Sequence, residues 1–252
     1  MRLMKKVILR RNKLRVTQDF YVGLSDTNLK QELTNTSLLR FLEDIAGIHS
    51  EKVGYGASSI DKTKRTWILL SWKVKMNKRP KMNETVKVVT WSRLIEKFYA
   101  YRDFEIYDQK GELLGIASSK WIYMDIENER IVKVTEEVAS VYESENISVF
   151  GDIDFKLKQP KEESINEIDF KITRNLIDIN NHLHNIYYMD IAKEALPEDI
   201  YLNREFNEFE VMYKKEIKAG SLVKAYYTCN NEDEHFVTIK SEDVTHAIIK
   251  LN

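Results

Sequence analysis

Residues 33–46, LTNTSLLRFLEDIA, and residues 179–192, INNHLHNIYYMDIA, are two versions of one segment, the second starting 146 residues after the first. Both end in Asp-Ile-Ala, and each carries an Asn near its start, Asn35 in the first and Asn181 in the second. In both, aliphatic or aromatic residues recur at helical spacing before the shared ending. The pair indicates an internal duplication with a helix at the centre of each copy.

The sequence around each helical segment repeats as well. A stretch of alternating apolar and polar residues precedes each helix, and several strand-like segments follow it. The following segments are TWILLSWKVKM, TVKVVTWSRLI, FYAYRDFEIYD and LLGIASSKWIYMDI in the first copy, and EFEVMYKKEI, LVKAYYTCN, HFVTIKS and THAIIKLN in the second. The order of strand, long helix and antiparallel meander therefore occurs twice.

The two helices have recognisable limits. The first is predicted to run from Asn35 to Gly47 or a little beyond, with Gly47 or Gly54 as the stop signal. The second is predicted to start near Asn185 and must finish by Pro197. Its apolar residues cover most of its circumference, so it needs burial on nearly all sides. These features predict an α+β fold, a double (tandem) hotdog in which each curved antiparallel sheet wraps around a long central helix.

The joint between the copies is predicted in a polar stretch, GDIDFKLKQPKEES at residues 151–164, where Pro160 and dense charge indicate a linker. We therefore expect an N-terminal hotdog at residues 1–145, a linker at 146–166 and a C-terminal hotdog at 167–252. The chain of 252 residues is long enough for two such units.

Composition narrows the partners and the compartment. The 39 basic and 40 acidic residues nearly cancel, which argues against a generic nucleic-acid binder. The single cysteine, Cys229, cannot form an internal disulfide and is expected to be structural, so a reducing compartment fits. The first 13 residues, MRLMKKVILRRNK, contain an apolar run of three, too short for a signal peptide or a membrane span. We expect a cytoplasmic chain without membrane insertion.

A polar trio precedes the second helix. Asp178, Asn180 and His182 alternate along the chain, and in an extended segment such residues point to the same side. The free N–H groups at the start of the next helix would lie close by, and fixed donors are what a carbonyl needs as it becomes an oxyanion. The competing interpretation is structural, because Asp and Asn before a helix are ordinary capping and turn residues.

The duplication separates the two interpretations. Aligned on the shared Asp-Ile-Ala, the first copy has Glu32, Thr34 and Thr36 where the second has the trio. A structural cap is expected in both copies, whereas the amide and imidazole occur in one. This asymmetry predicts that one half carries out chemistry while the other provides a wall or pocket.

At these residues the sequence resembles the acyl-acyl-carrier-protein thioesterase family of plant plastids and bacteria. That family carries Asp-x-Asn-x-His-Val-Asn-Asn before a Tyr-rich helix, and residues 178–185 match it except for Leu183 and His184. A second family segment, Tyr-Arg-Arg-Glu-Cys, is similar to residues 213–217, in which Glu216 matches the family's glutamate and Ile217 replaces the cysteine. The resemblance covers roughly residues 15–250.

The resemblance implies hydrolysis of a fatty acyl thioester on the phosphopantetheine arm of acyl carrier protein. It implies Glu216 as general base for water, or as a direct nucleophile, with Asn180 and His182 positioning the thioester and stabilising the oxyanion. Asp178 would orient this group. Ile217 excludes a cysteine nucleophile at that position, and the role of His184 stays open.

The acyl chain would need an apolar slot, for which the unreactive first half is the natural wall. Candidate lining residues share a position on or near the first helix, and they could equally be ordinary core: Leu38, Phe41, Leu42, Ile45 and Trp67. Lys62, Lys64, Arg65 and the run from Lys73 to Lys81 offer charge for docking an acidic carrier protein.

We expect no metal and no cofactor, because His49, His235 and His246 have no partner at a metal-ligand spacing and no Cys–His cluster is visible. Three other functions fit less well: an acyl-CoA thioesterase of the same fold, a hotdog hydratase or dehydratase, and a non-catalytic acyl-binding protein. The sequence leaves a homodimer open.

Overall fold

The computed structural model describes residues 14–252. The start of the predicted N-terminal domain, with the segment judged too short for a signal peptide, lies outside the described residues. The first half contains β1 (Val16–Tyr21), α1 (Asn35–Lys52), α2 (Ile60–Thr63), β2 (Arg65–Met76), β3 (Thr85–Glu96), β4 (Tyr99–Tyr107), β5 (Leu113–Asp125), β6 (Arg130–Ile131) and α3 (Glu136–Val141).

The second half contains β7 (Asn166–Lys171), α4 (Tyr187–Glu194), α5 (Glu198–Asn203), β8 (Glu208–Tyr213), β9 (Leu222–Cys229), β10 (His235–Ser241) and β11 (Val244–Leu251). A strand forms at each segment for which the sequence predicts one, and the helix precedes the meander in both halves. The predicted order of elements is therefore confirmed.

All the strands lie in one antiparallel sheet with the order β1-β3-β4-β5-β2-β8-β11-β10-β9-β7, and the short β6 pairs with β5. Counted from its outer edge inward, the first half has the order β1-β3-β4-β5-β2, and the second half has the order β7-β9-β10-β11-β8. In both halves the main strands therefore follow the order first, third, fourth, fifth and second along the chain. The halves meet where β2 pairs with β8, over residues 71–75 and 208–212. The duplication thus extends to topology, and the edge-to-edge junction gives it an approximate two-fold relation.

Helix α1 is longer than the minimum predicted from Gly47. Its start is capped by Thr34, whose hydroxyl accepts the N–H of Ser37 at 3.1 Å. The helix continues through Gly47 to Lys52 and ends before Gly54, whose φ of 84° is a left-handed conformation that glycine adopts without strain. Helix α4 is shorter and lies within the predicted limits.

The two halves share a core. One hydrophobic cluster contains buried side chains from α1, α4 and both groups of strands, including Leu42, Trp72, Ile191 and Val211. Because such a cluster removes apolar surface of both halves from water together, its burial stabilises the junction as well as each half. Within the described part of the chain, no helix is both long and apolar enough to cross a membrane.

Residues 142–165, between α3 and β7, form no helix or strand. This segment is attached to the first half: the ring of Phe155 lies 5.9 Å from that of Tyr101, and the indole N–H of Trp91 donates to the carbonyl of Ile147 at 3.0 Å. The bounds of 1–145, 146–166 and 167–252 for two domains and a linker stay a prediction.

Candidate functional site

The predicted extended segment at the polar trio is a turn, so this part of the prediction is wrong. The carboxylate of Asp178 accepts the backbone N–H of Asn180 at 2.8 Å and of His182 at 3.2 Å, and it also accepts from the Asn180 amide at 3.2 Å. Asn181 has a φ of 63°. Short polar side chains favour such local hydrogen bonds to the backbone, which compete with an extended strand.

The same turn occurs in the first half. There Asn28 accepts the N–H groups of Lys30 at 2.9 Å and Glu32 at 3.0 Å. Strands β1 and β7, which lead into the two turns, start at residues 16 and 166. The copies are therefore 150 residues apart, and the alignment on Asp-Ile-Ala, at 146, is wrong by about one helical turn. The counterparts of Asp178, Asn180 and His182 are Asn28, Lys30 and Glu32, not Glu32, Thr34 and Thr36.

This register sharpens the asymmetry between the halves. Asn28 and Asp178 both close their turns, because each accepts the N–H groups of the residues two and four positions later. The amide of Asn180 and the imidazole of His182 have no counterpart of the same type in the first half. The first half has Lys30 and Glu32 at these two positions, so the pairing of an amide with an imidazole occurs only in the second half.

The structure brings the Glu216 segment beside this turn. Leu183 donates its N–H to the carbonyl of Ile217 at 2.7 Å, and His182 forms a β-bridge with Lys218. The pKa of the Tyr188 hydroxyl is raised, first by burial and then by the negative charges of Glu216 and Asp178. The charges of both carboxylates thus act on the Tyr188 hydroxyl, although Glu216 itself is exposed.

A pair missed by the sequence analysis lies next to the turn. His184, just before α4, places its Nε2 2.9 Å from a carboxylate oxygen of Glu43, which belongs to α1 of the first half. Burial raises the pKa of Glu43, and the hydrogen bond and charge of His184 oppose that shift. The hydrogen bond to Glu43 raises the pKa of His184. Glu43 lies in an apolar helical pattern, so no local signal in the sequence marks it.

Glu43 lines a cavity of about 230 Å³ that is open to solvent. Its wall comes from the first half, from one face of α1 and from strands β2 to β5, and the second half contributes Ile179 and Asn180. Polar groups in the wall bond to one another: Trp67 donates to Tyr142 at 3.0 Å, and Tyr142 donates to Ser50 at 3.2 Å.

The structure corrects the predicted lining. Leu38, Phe41, Leu42 and Ile45 are buried in the closed core, which is the alternative that the sequence left open, and only Trp67 of the predicted set lines the cavity. The face of α1 that reaches the cavity carries small and polar residues, and these are Glu43, Ala46, Gly47 and Ser50. A helix buries its most apolar face in the core, which leaves the flanking face for the cavity.

The first half has a matching cleft with different groups. Leu33 donates its N–H to the carbonyl of Pro80 at 2.8 Å, and this bond corresponds to the one from Leu183 to Ile217 in the second half. Arg79, just before Pro80, therefore occupies the position that Glu216 has in the second half. The Arg79 guanidinium donates to Leu33, Asn35 and Phe206 at 2.7 Å each. This second cleft, of about 140 Å³, also contains Lys30 and Lys193. The counterpart of the Glu216 carboxylate is thus a cation that binds groups of the protein itself.

Most of the basic side chains predicted to dock a carrier protein bind to groups of the protein itself. Arg65 pairs with Asp125 at 2.9 Å, and within the run from Lys73 to Lys81, Lys73 pairs with Glu210 at 3.0 Å. The exposed Lys62 and Lys64 stand next to Ile60, which lines the cavity.

The prediction that no Cys–His cluster exists is wrong. Pairing of β9 with β10 places Cys229 opposite His235, and donor atoms of these two residues and of Asp233 lie within 4.8 Å of one another. Arg204 donates to the other carboxylate oxygen of Asp233 at 2.6 Å. The hairpin brings together residues whose spacing matches no common metal motif.

Comparison with known proteins gives a consistent result. The family profile described as Acyl-ACP thioesterase N-terminal domain matches residues 13–142, and the C-terminal domain profile of the same family matches residues 157–249. Among curated proteins, oleoyl-acyl carrier protein thioesterase 2 of Arabidopsis thaliana is 24% identical over 236 residues, which cover 86% of this chain and 64% of that protein. A palmitoyl-acyl carrier protein thioesterase of Cuphea hookeriana is 28% identical over 188 residues, covering 72% of this chain and 45% of that protein. The chain thus spans less than two thirds of the length of these plant relatives.

Solved structures show the same fold. An acyl-ACP thioesterase from Bacteroides thetaiotaomicron has a TM-score of 0.85 at 20% identity, covering 94% of this chain and 96% of that one. The 12:0-ACP thioesterase from Umbellularia californica has a TM-score of 0.83 at 16% identity, with the same two coverages. The prediction of a double hotdog is confirmed.

Proposed function

Because the chain belongs to the acyl-ACP thioesterase family, we propose that it hydrolyses fatty acyl thioesters of acyl carrier protein to a free fatty acid and the carrier's thiol. One observation carries this proposal: a cavity built mainly by the first half, with Trp67 and other apolar side chains in its wall, opens at the polar turn of the second half. The plant relatives are named for hydrolysis of oleoyl and palmitoyl carrier-protein thioesters, which supports the substrate class.

In this proposal the acyl chain enters the cavity past Asn180 and lies against Trp67. Asn180 and His182 position the thioester and stabilise the oxyanion. Asp178 holds their turn in shape through its hydrogen bonds to the backbone. The resemblance assigns activation of water to Glu216, whose exposed carboxylate lies on the neighbouring segment.

The carrier protein would bind beside the cavity mouth. Acyl carrier proteins are acidic, and the exposed Lys62 and Lys64 give the complementary charge there. Cytoplasmic action and a homodimer stay predictions. Sedimentation of the purified protein would test the dimer.

Turnover of a panel of acyl-ACPs, compared with acyl-CoAs of equal chain length, tests the activity and the carrier. Free thiol should appear with acyl-ACP as the better substrate.

Glu216→Ala and His182→Ala should each lose about two to four orders of magnitude in kcat while remaining folded, because a positioned acid or base contributes that much. Near-normal rates in both variants would refute the site. Faster turnover of acyl-CoA would change the substrate class, and hydration of an enoyl substrate would change the reaction.

A further inference from the structure

The contact between Glu43 and His184 joins the two halves beside the cavity that Glu43 lines. Glu43 belongs to α1 and lines the cavity, and its side chain is 14% exposed. His184 precedes α4, two residues after His182, and its side chain is 35% exposed. The two residues are 141 positions apart in the chain, and only the fold brings Nε2 of the imidazole to 2.9 Å from the carboxylate.

Glu43 depends on this one charged partner. Its second carboxylate oxygen is buried and has no hydrogen-bond partner among residues 14–252. A buried carboxylate is costly to keep ionised unless a positive charge compensates it. The ionised pair, carboxylate and imidazolium, gives each group its counter-charge, and the bond to Glu43 does not use the Nδ1–H of His184.

Negative charges surround His184 from both halves. After the hydrogen bond to Glu43, the charges of Glu43, Asp178 and Asp44 raise its pKa, while burial lowers it. Glu43 is faced by His184, Asp44 and the buried Tyr213 hydroxyl. The arrangement favours the protonated imidazole beside a carboxylate that lines the cavity.

We propose that His184 is a further catalytic residue, whose imidazolium stabilises the oxyanion of the thioester, and that Glu43 is a positioning residue that keeps His184 protonated. This inference rests on the proposed hydrolysis. The oxygen of water bonds to the carbonyl carbon and gives its proton to the base, and the carbonyl oxygen becomes an oxyanion facing His184. The C–S bond then breaks, the thiolate sulfur takes up the proton held by the base, and His184 keeps its own proton throughout.

The departure of residue 184 from the family motif fits this role. The family motif has Asn at this position, and an Asn amide can donate a neutral hydrogen bond to an oxyanion. His184 supplies a charged donor in its place, together with a dependence on pH that Asn cannot have. His184→Asn is therefore the conservative variant for the test.

The experiment measures kcat/KM against pH for the wild type, Glu43→Gln and His184→Asn, with Asp44→Asn as the control from the same helix. Activity of the wild type should fall as pH rises through the pKa of His184. Removal of the Glu43 charge lowers that pKa, so the alkaline limb should move to lower pH by about one unit or more. His184→Asn should lose this limb and retain a rate lower by about tenfold to a hundredfold. Asp44→Asn should move the limb less than Glu43→Gln.

Titration of the His184 imidazole by NMR, in the wild type and in Glu43→Gln, gives the same pKa without any need for turnover. A His184 pKa above 6.5 in the wild type that falls in Glu43→Gln supports the pair. An equal pKa in both proteins, or an unchanged alkaline limb in His184→Asn, would overturn the inference. A wild type that titrates as expected but hydrolyses no acyl thioester would instead contradict the proposed function.

Discussion

At the scale of single residues, Asp178 acts first on its own backbone. Its carboxylate closes the turn that presents Asn180 and His182, and the first half builds the same turn with an amide, Asn28. The charge of Asp178 is therefore not needed for the turn. An acceptor of the same shape should be enough to hold the two site residues in place.

Asp178→Asn should keep the turn, whereas Asp178→Ala should remove it. We expect Ala to lower the free energy of unfolding by about 1 kcal/mol, the usual cost of losing such an acceptor. Ala should also lower kcat by about a hundredfold, because small displacements of site residues are costly, while Asn stays within about tenfold of the wild type. Urea unfolding and turnover of acyl-ACP measure the two effects. Equal inactivity of both variants would show that the negative charge itself is required.

Among the elements, α1 shows how one helix serves two functions. One face fills the core with Leu38, Leu42 and Ile45, and the adjoining face presents Glu43 and Gly47 to the cavity. The sequence correctly marks the helix as apolar and buried. It does not distinguish the two faces, because the strands that decide them follow much later in the chain.

Gly47 within α1 and Gly54 just after it should respond to alanine in opposite directions. A Cβ added at Gly47 meets nothing within 4 Å, and alanine is the better helix former, so Gly47→Ala should raise the free energy of unfolding by about 0.5–1 kcal/mol. Gly54 has a φ of 84°, which strains alanine, so Gly54→Ala should lower it by a similar or larger amount. Urea denaturation of both variants is the measurement. A change of the same sign would mean that helix propensity and the left-handed cap do not govern these positions.

At the scale of the whole molecule, the shared core and the β2–β8 pairing make the two halves one folding unit. We expect a single unfolding transition. All four tryptophans, at positions 67, 72, 91 and 121, belong to the first half, so tryptophan fluorescence reports on that half while far-UV circular dichroism reports on both. The two signals should coincide in urea.

A substitution in the second half provides the control. Ile239 is fully buried in β10, and Ile239→Ala should cost about 2–5 kcal/mol. It should lower the urea midpoint by tryptophan fluorescence as much as by circular dichroism, because loss of one half exposes the core of the other. A fluorescence midpoint that does not move would show that the halves unfold independently.

The sequence by itself determined the local structure and the family. Alternation with period two marked the strands, apolar spacing marked both central helices, and the motif at residues 178–185 carried the family resemblance. These signals arise from neighbours along the chain, whose φ and ψ preferences and burial pattern are written into a few consecutive residues.

Only the tertiary structure decided the register of the repeat, the edge at which the halves join and the pairing of Glu43 with His184. The join and the Glu43–His184 pair depend on contacts between residues more than a hundred positions apart, for which no local pattern exists. The similarity of the segments at 33–46 and 179–192 was sufficient to reveal two copies of one fold. Hydrogen bonds around the turns, which tie each copy to its own strands, were needed to show that the copies are 150 residues apart.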